Sequence, residues 1–150
     1  MRTLAIDHGL KRVGLAISDE GGTFVFPHDV LHVNDPDEAI APIAKLVREE
    51  QVKQIVVGLP LNMDGSVGPQ AKLVVAWAKR VGEACGLTPV FVDERLSSFD
   101  AEQNLIGQQR SGRKLTRDQK KDRRDALAAA AFLRAYLDGQ LQPIDVSEFV

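Results

Sequence analysis

The amino-acid sequence predicts an α/β fold in which a mixed five-stranded sheet carries helices on both faces. Two apolar, β-branched runs at residues 3–6 and 13–18, joined by a short turn, open the chain as an antiparallel pair. Strand and helix signals then alternate to the end of the chain, which is the pattern of parallel strands joined by crossover helices. Distinct helix starts and stops separate the elements.

The elements follow in order. Glu20-Gly21-Gly22 is a turn, and residues 24–33 form a third strand interrupted near Pro27. Asp35 and Pro36 are an N-cap and N1 pair with Glu38 at N3, and the helix should reach about Glu50 on the stripe Ile40, Ile43, Leu46 and Val47. Pro42 lies inside it and should kink it or move its start later. Residues 54–57 are a buried strand, and a helix from Pro69 or Gln70 to Cys85 buries Leu73, Val74, Trp77 and Val81 before Gly86. Residues 89–92 make the last strand, helix signals resume at Ser97 or Ser98 with Leu105 and Ile106 inward, and a long helix runs from about Asp118 to Asp138 with Gly139 as its cap.

With 150 residues, 44% of them hydrophobic and 27% charged, the chain is expected to form one soluble domain. No apolar run approaches membrane-spanning length, and none at the start reads as a signal peptide. The single cysteine, Cys85, allows no internal disulfide and fits a reducing compartment, so a cytoplasmic protein with no membrane contact is expected. His28 and His32 are four apart, but no third ligand lies near, and they read as surface residues rather than a metal pair.

Chemistry concentrates at strand ends. Asp7 ends the first strand and Asp93-Glu94 ends the last, where a sheet opens to solvent. A turn cap is the ordinary reading of one such acid, but two on one sheet are less easily assigned to capping. Stepping back along the stripe Leu137, Leu133 and Ala129 of the long helix reaches Asp125 and then Asp122, so Asp125 should point at the sheet. A buried carboxylate needs a partner. Carboxylates converging without Cys or paired His favour Mg²⁺ or Mn²⁺ over zinc, and beside a phosphate-binding surface they are the means of two-metal phosphodiester hydrolysis. Gly9 and Gly14 are expected to let a substrate backbone approach them. The loop after the 54–57 strand has no Walker ending, and Asn62 in it is a candidate phosphate donor. Between Arg110 and Arg124 stand eight bases against two acids, on a chain of net charge −2. That asymmetry marks a polyanion-binding surface, with a solvated helix end as the plainer alternative. Bases at a helix N-terminus also oppose its dipole.

Four stretches together resemble the RuvX/YqgF family of Holliday junction resolvases and pre-16S rRNA nucleases, within the ribonuclease H-like superfamily. They are Ala5-Ile6-Asp7-His8-Gly9-Leu10-Lys11-Arg12-Val13-Gly14-Leu15-Ala16, Val57-Gly58-Leu59-Pro60-Leu61-Asn62-Met63-Asp64-Gly65, Val92-Asp93-Glu94-Arg95-Leu96-Ser97-Ser98 and Asp125-Ala126-Leu127-Ala128-Ala129. The resemblance covers nearly the whole chain. It implies a ribonuclease H-like sheet and places the acidic triad, catalytic and metal-binding, on Asp7, Glu94 and Asp125. It also implies substrate contacts from Arg12, Asn62 and Arg95, with Lys11 in the same motif. Arg113, Lys114 and Arg117 are nucleic-acid contacts inferred from the basic stretch alone. His8 departs from the aromatic usual at that position, and Ser97-Ser98 replace the commoner threonines.

The expected activity is a metal-dependent endonuclease acting on precursor rRNA or branched DNA; paired cuts in a two-fold symmetric junction would call for a homodimer. A non-catalytic nucleic-acid-binding protein is the main alternative. An actin-like ATPase opens with a similar Asp-x-Gly turn, but it needs two lobes around its nucleotide.

Overall fold

The computed structural model describes residues 1–97 and 116–147. The sheet is built of β1 (Thr3–Asp7), β2 (Arg12–Ser18), β3 (Val25–His32), β4 (Gln54–Leu59) and β5 (Val90–Asp93), in the spatial order β3-β2-β1-β4-β5. β1–β2 and β2–β3 are antiparallel, whereas β1–β4 and β4–β5 are parallel. This is the mixed five-stranded sheet expected. Its parallel half places the carboxyl ends of β1, β4 and β5 on one edge, beside the start of antiparallel β2.

Pro27 is accommodated because β3 is an edge strand, where a missing N–H breaks no ladder. The register passes from Leu15↔Asp29 to Ala16↔Pro27, so His28 is left unpaired in a bulge. The predicted helix at 35–50 divides. A 3-10 turn, Pro36–Ala39, is capped by Asp35, whose carboxylate accepts the Asp37 N–H at 2.8 Å. Helix α1 (Ile40–Glu49) then starts late enough that Pro42 falls in its first turn, where an N–H has no helical partner to lose. Helix α2 (Pro69–Cys85) ends on Gly86 in the left-handed region, as its position after the apolar stripe predicts, and it buries Val74, Trp77 and Val81 but leaves Leu73, expected inward, on its exposed side. Helix α3 (Arg117–Leu137) begins on a reciprocal capping box between Thr116 and Gln119 that the basic character of the stretch conceals. A 3-10 turn, Glu94–Ser97, follows β5. The predicted helix carrying Leu105 and Ile106 lies outside the described residues, as do Arg113 and Lys114.

Strand alternation divides the core in two. Leu4, Ile6, Val13, Leu15, Ile55, Val57, Leu59 and Phe91 face α1 and α2. Ala5, Ala16, Val56 and Val92 face Ala129, Phe132 and Leu133 of α3. The second face is lined by small residues, and α3 lies close against it. The tail supports this arrangement: Leu141 is buried under α3's layer, and the Ile144 N–H donates to the Phe91 carbonyl at 2.7 Å, satisfying part of the β5 edge.

Candidate active site

The same alternation that builds the α3 face selects its polar members. On β1, residues 3, 5 and 7 point one way, so Asp7 follows Ala5 toward α3. On β5 the parity that turns Val92 to α3 carries Glu94, one residue beyond the strand, to the same side. Asp125 stands one turn before Ala129, as the helical stripe predicts.

Two close approaches make this possible. A Cβ on Gly14 would lie 2.5 Å from the Asp125 carbonyl oxygen, so only glycine lets α3 settle on β2 there. A Cβ on Gly58 would lie 2.8 Å from Glu94 Oε2 and 2.9 Å from both Glu94 Cβ and Phe132 Cε2. Gly58 is therefore the seat of Glu94, a role the sequence reading missed although its β4 parity matches Val56. The expectation that Gly14 admits a substrate backbone is corrected: it is buried under Asp125 and makes room for the chain itself. Gly9 lines the cleft beside Asp7, and its missing Cβ, which would meet the Arg12 carbonyl at 2.4 Å, also makes room for its own turn.

The Asp7 and Glu94 carboxyl groups lie within hydrogen-bond reach of each other. Burial, followed by the Glu94 charge, holds Asp7 well above the ordinary aspartate range, and Asp125 adds to the rise. Glu94 is raised chiefly by burial, with Asp93 adding repulsion and the Asp7 hydrogen bond opposing the rise. Asp125 is also raised by burial, and Arg12, whose Nε lies 3.3 Å from Asp125 Oδ2, works against it. Like charges held together in a buried site each resist ionisation. The oxygen donor set suits a hard divalent ion. Among the described residues, however, no three His, Cys, Asp or Glu side chains are grouped as a ready metal cage.

Asp7, Arg12 and Asp125 line a cleft of about 190 Å³ together with residues 8–11. Lys11 is exposed on its rim, its Nζ donating to the Asn34 carbonyl at 3.1 Å. The other expected contacts are held elsewhere. Arg95 grips Asp93 through Nε at 2.9 Å and Nη2 at 2.8 Å, and its Nη1 donates to the Asn62 carbonyl. That grip is the largest reason Asp93 lies below its ordinary range, opposite to its neighbour Glu94. The Asn62 amide donates to Ser66 Oγ at 3.0 Å. Arg95 and Asn62 thus tie the 60–66 loop to the end of β5. Arg117 is exposed in the first turn of α3.

Asp122 was placed on the inner stripe without a role. Its Oδ2 lies 2.7 Å from His32 Nε2, and its Oδ1 is buried with no hydrogen-bond partner. Its charge is one of the causes that raise Asp125. His32 is accordingly a partner of the α3 acids rather than half of a metal pair with His28.

Comparison with known proteins gives the family of the chain. The profile of the family described as "RuvX: Holliday junction resolvase" matches residues 1–139. A relative from Anaeromyxobacter sp. (strain Fw109-5) is 41% identical over 140 residues, covering 93% of this chain and 98% of its own. One from Caldanaerobacter subterraneus subsp. tengcongensis is 37% identical over the same length, with the same coverage. Each bears the name "Putative pre-16S rRNA nuclease". The solved structure of T. thermophilus RuvC in complex with a Holliday junction substrate superimposes with a TM-score of 0.59 at 16% identity, over 96% of this chain and 99% of that one. Thermus thermophilus RuvC by itself gives 0.54 at 13% identity, over 96% and 100%. At those identities the two structures establish the ribonuclease H-like fold.

Proposed function

The chain belongs to the RuvX family, a family of nucleases, and from that premise we propose that Asp7, Glu94 and Asp125 are the centre of a divalent-metal-dependent endonuclease. Its first substrate is the 5′ end of precursor 16S rRNA, processed in the cytoplasm, and its second is the four-way DNA junction, which would require a homodimer for paired cuts. The observation that carries the reading is the convergence of three carboxylates, Asp7 against Glu94 and beside Asp125, at a cleft lined by Asp7, Arg12 and Asp125. A purely structural cluster has no reason to bury like charges together.

Asp7, Glu94 and Asp125 would hold the cations, with the Arg12 guanidinium beside Asp125. Mg²⁺ and Mn²⁺ both suit three carboxylates. When bound, they supply activation of the attacking water and stabilisation of the leaving oxygen. Arg12, lining the cleft beside Asp125, contacts the phosphate being cut; Lys11 and Arg117 contact flanking phosphates, with Arg113 and Lys114 as further contacts. Arg95 and Asn62 act by fixing the 60–66 loop along the rim.

The test is cleavage of two labelled substrates, a precursor 16S rRNA 5′ segment and an immobile four-way junction, with Mg²⁺, with Mn²⁺ and with chelator. Metal-dependent cutting of one of them, absent in Asp7→Asn, is expected and identifies the polymer. Tight binding with no cutting of either would replace the nuclease by a non-catalytic nucleic-acid-binding protein.

A further inference from the structure

The turn after Asp7 straddles the end of the sheet. Asp7 faces α3, but the next residue, His8, faces α2, where its ring stands edge-on to Trp77 with centroids 4.8 Å apart. Beyond it, on the α2 side, lies a second cleft of about 330 Å³ that shares His8 and Leu10 with the cleft holding Asp7 and Asp125. Its walls are apolar: Leu10 and Leu73 are each 68% exposed there, and Trp77 lies beneath. Its rim is polar. Asp35 and Asp37 stand against one cation, Arg80, which is already paired with Asp37 at 2.7 Å.

We propose that this cleft is a nucleobase pocket, which takes one unpaired base of the substrate strand next to the phosphate that is cut. The proposal rests on the nuclease reading of the adjoining site. The volume is at the small end of ligand pockets, about 300–1,000 Å³, and suits one flat heterocycle rather than a helix or a peptide. The ring of His8, fixed by Trp77, and the exposed leucines supply the apolar faces on which an unstacked base rests. The two rim carboxylates repel phosphate but accept hydrogen bonds from exocyclic amines, as acids do from cytosine N4. The occupant is therefore the base and not the backbone. Continuity through His8 and Leu10 supplies the geometry: a strand crossing the end of β1 leaves its phosphate on the α3 side and turns its base over the turn to the α2 side. The pocket thereby requires a single-stranded or distorted position at the cut.

The experiment measures binding of the full chain, by fluorescence anisotropy in chelator, to whichever of the two labelled substrates it binds more tightly, with single abasic positions scanned across the cut. Wild type and Leu73→Glu are compared, and cleavage is followed in parallel with metal. Leu73 is exposed, so folding of the variant is expected and is verified by its Tm. One abasic position should weaken wild-type binding about 10-fold. Leu73→Glu should weaken binding of the intact substrate by a similar factor and remove the penalty at that position. A flat abasic scan would overturn the pocket, as would Leu73→Glu weakening intact and abasic substrates equally, which is repulsion of the backbone. Cutting with a flat scan removes the pocket and keeps the nuclease; a position-specific penalty without cutting keeps the pocket and removes the nuclease.

Discussion

The two faces of the sheet do different work with opposite means. Toward α1 and α2 the strands present Leu4, Ile6, Leu15, Ile55 and Phe91, which fill space and hold the layers by burial alone. Toward α3 they present Ala5, Gly14, Ala16, Val56 and Gly58, and the space saved is taken by a helix backbone and by carboxylates. At Gly14 and Gly58 the atoms nearest a would-be Cβ are the Asp125 backbone and the Glu94 side chain. Small residues there serve placement of the acids first and stability second.

A matched pair of glycines separates the two. Gly82, on α2, is as tightly enclosed as Gly58: a Cβ there would stand 2.5 Å from the Leu87 carbonyl oxygen and 2.8 Å from Pro89 Cδ. Gly58→Ala and Gly82→Ala should each cost about 1–3 kcal/mol in urea unfolding, as overpacking does. In single-turnover cleavage below both melting points, Gly58→Ala should fall at least about 100-fold through displacement of Glu94. Gly82→Ala should stay close to wild type. Equal activities would mean that the α3 face tolerates disorder in its acids.

The acids themselves should make the second face a source of instability. Asp7 and Glu94 bind protons more tightly folded than unfolded, so the folded chain holds more protons as pH rises above about 4. Stability must then fall with rising pH, through the window between their unfolded and raised folded values. In chelator, Asp7→Asn keeps a donor toward Glu94 and removes the titration. Its Tm should exceed that of wild type at pH 8, and the excess should shrink toward pH 4. Each 1 kcal/mol gained is worth about 2–4 °C. Mn²⁺ should raise the wild-type Tm more at pH 8 than at pH 5 and leave the variant nearly unmoved. A variant less stable than wild type at pH 8 would show that the buried pair holds the fold together.

The same contrast explains what the sequence made legible. Short apolar runs put Asp7 and Glu94 at the ends of buried strands, and the 3.6-residue stripe turned Asp125 inward; the order of elements then gave the sheet. Distances were not legible. That Asp7 and Glu94 touch, that Arg12 is drawn to Asp125 and that Gly58 lies under Glu94 are contacts between segments far apart in the chain. Arg95 presents a different case. Its partner Asp93 is two residues away, but whether an exposed arginine folds back or reaches outward depends on the Asn62 carbonyl, which the 60–66 loop brings into range. Glycine was legible as a residue type but not as a vacancy, and so Gly14 was assigned to a substrate when α3 fills the place.

The smallest effect tests whether the basic start of α3 belongs to the active face or only to the helix. Arg117 occupies the first helical position, where a positive charge opposes the dipole, and it is exposed, so it has no packing to lose. If it serves only the helix, Arg117→Ala should leave nucleic-acid binding unchanged. If it contacts phosphate, the substitution should lower the slope of log K against log salt by about 1, equally for all sequences. Stability should move the other way, rising by about 0.3–1 kcal/mol at low ionic strength as the unfavourable charge leaves the N-terminus. Weaker binding together with a more stable fold is the signature of a residue placed for its ligand. An unchanged salt slope would move the polyanion surface away from α3 and leave Lys11 and Arg12 as the described cations nearest the cut.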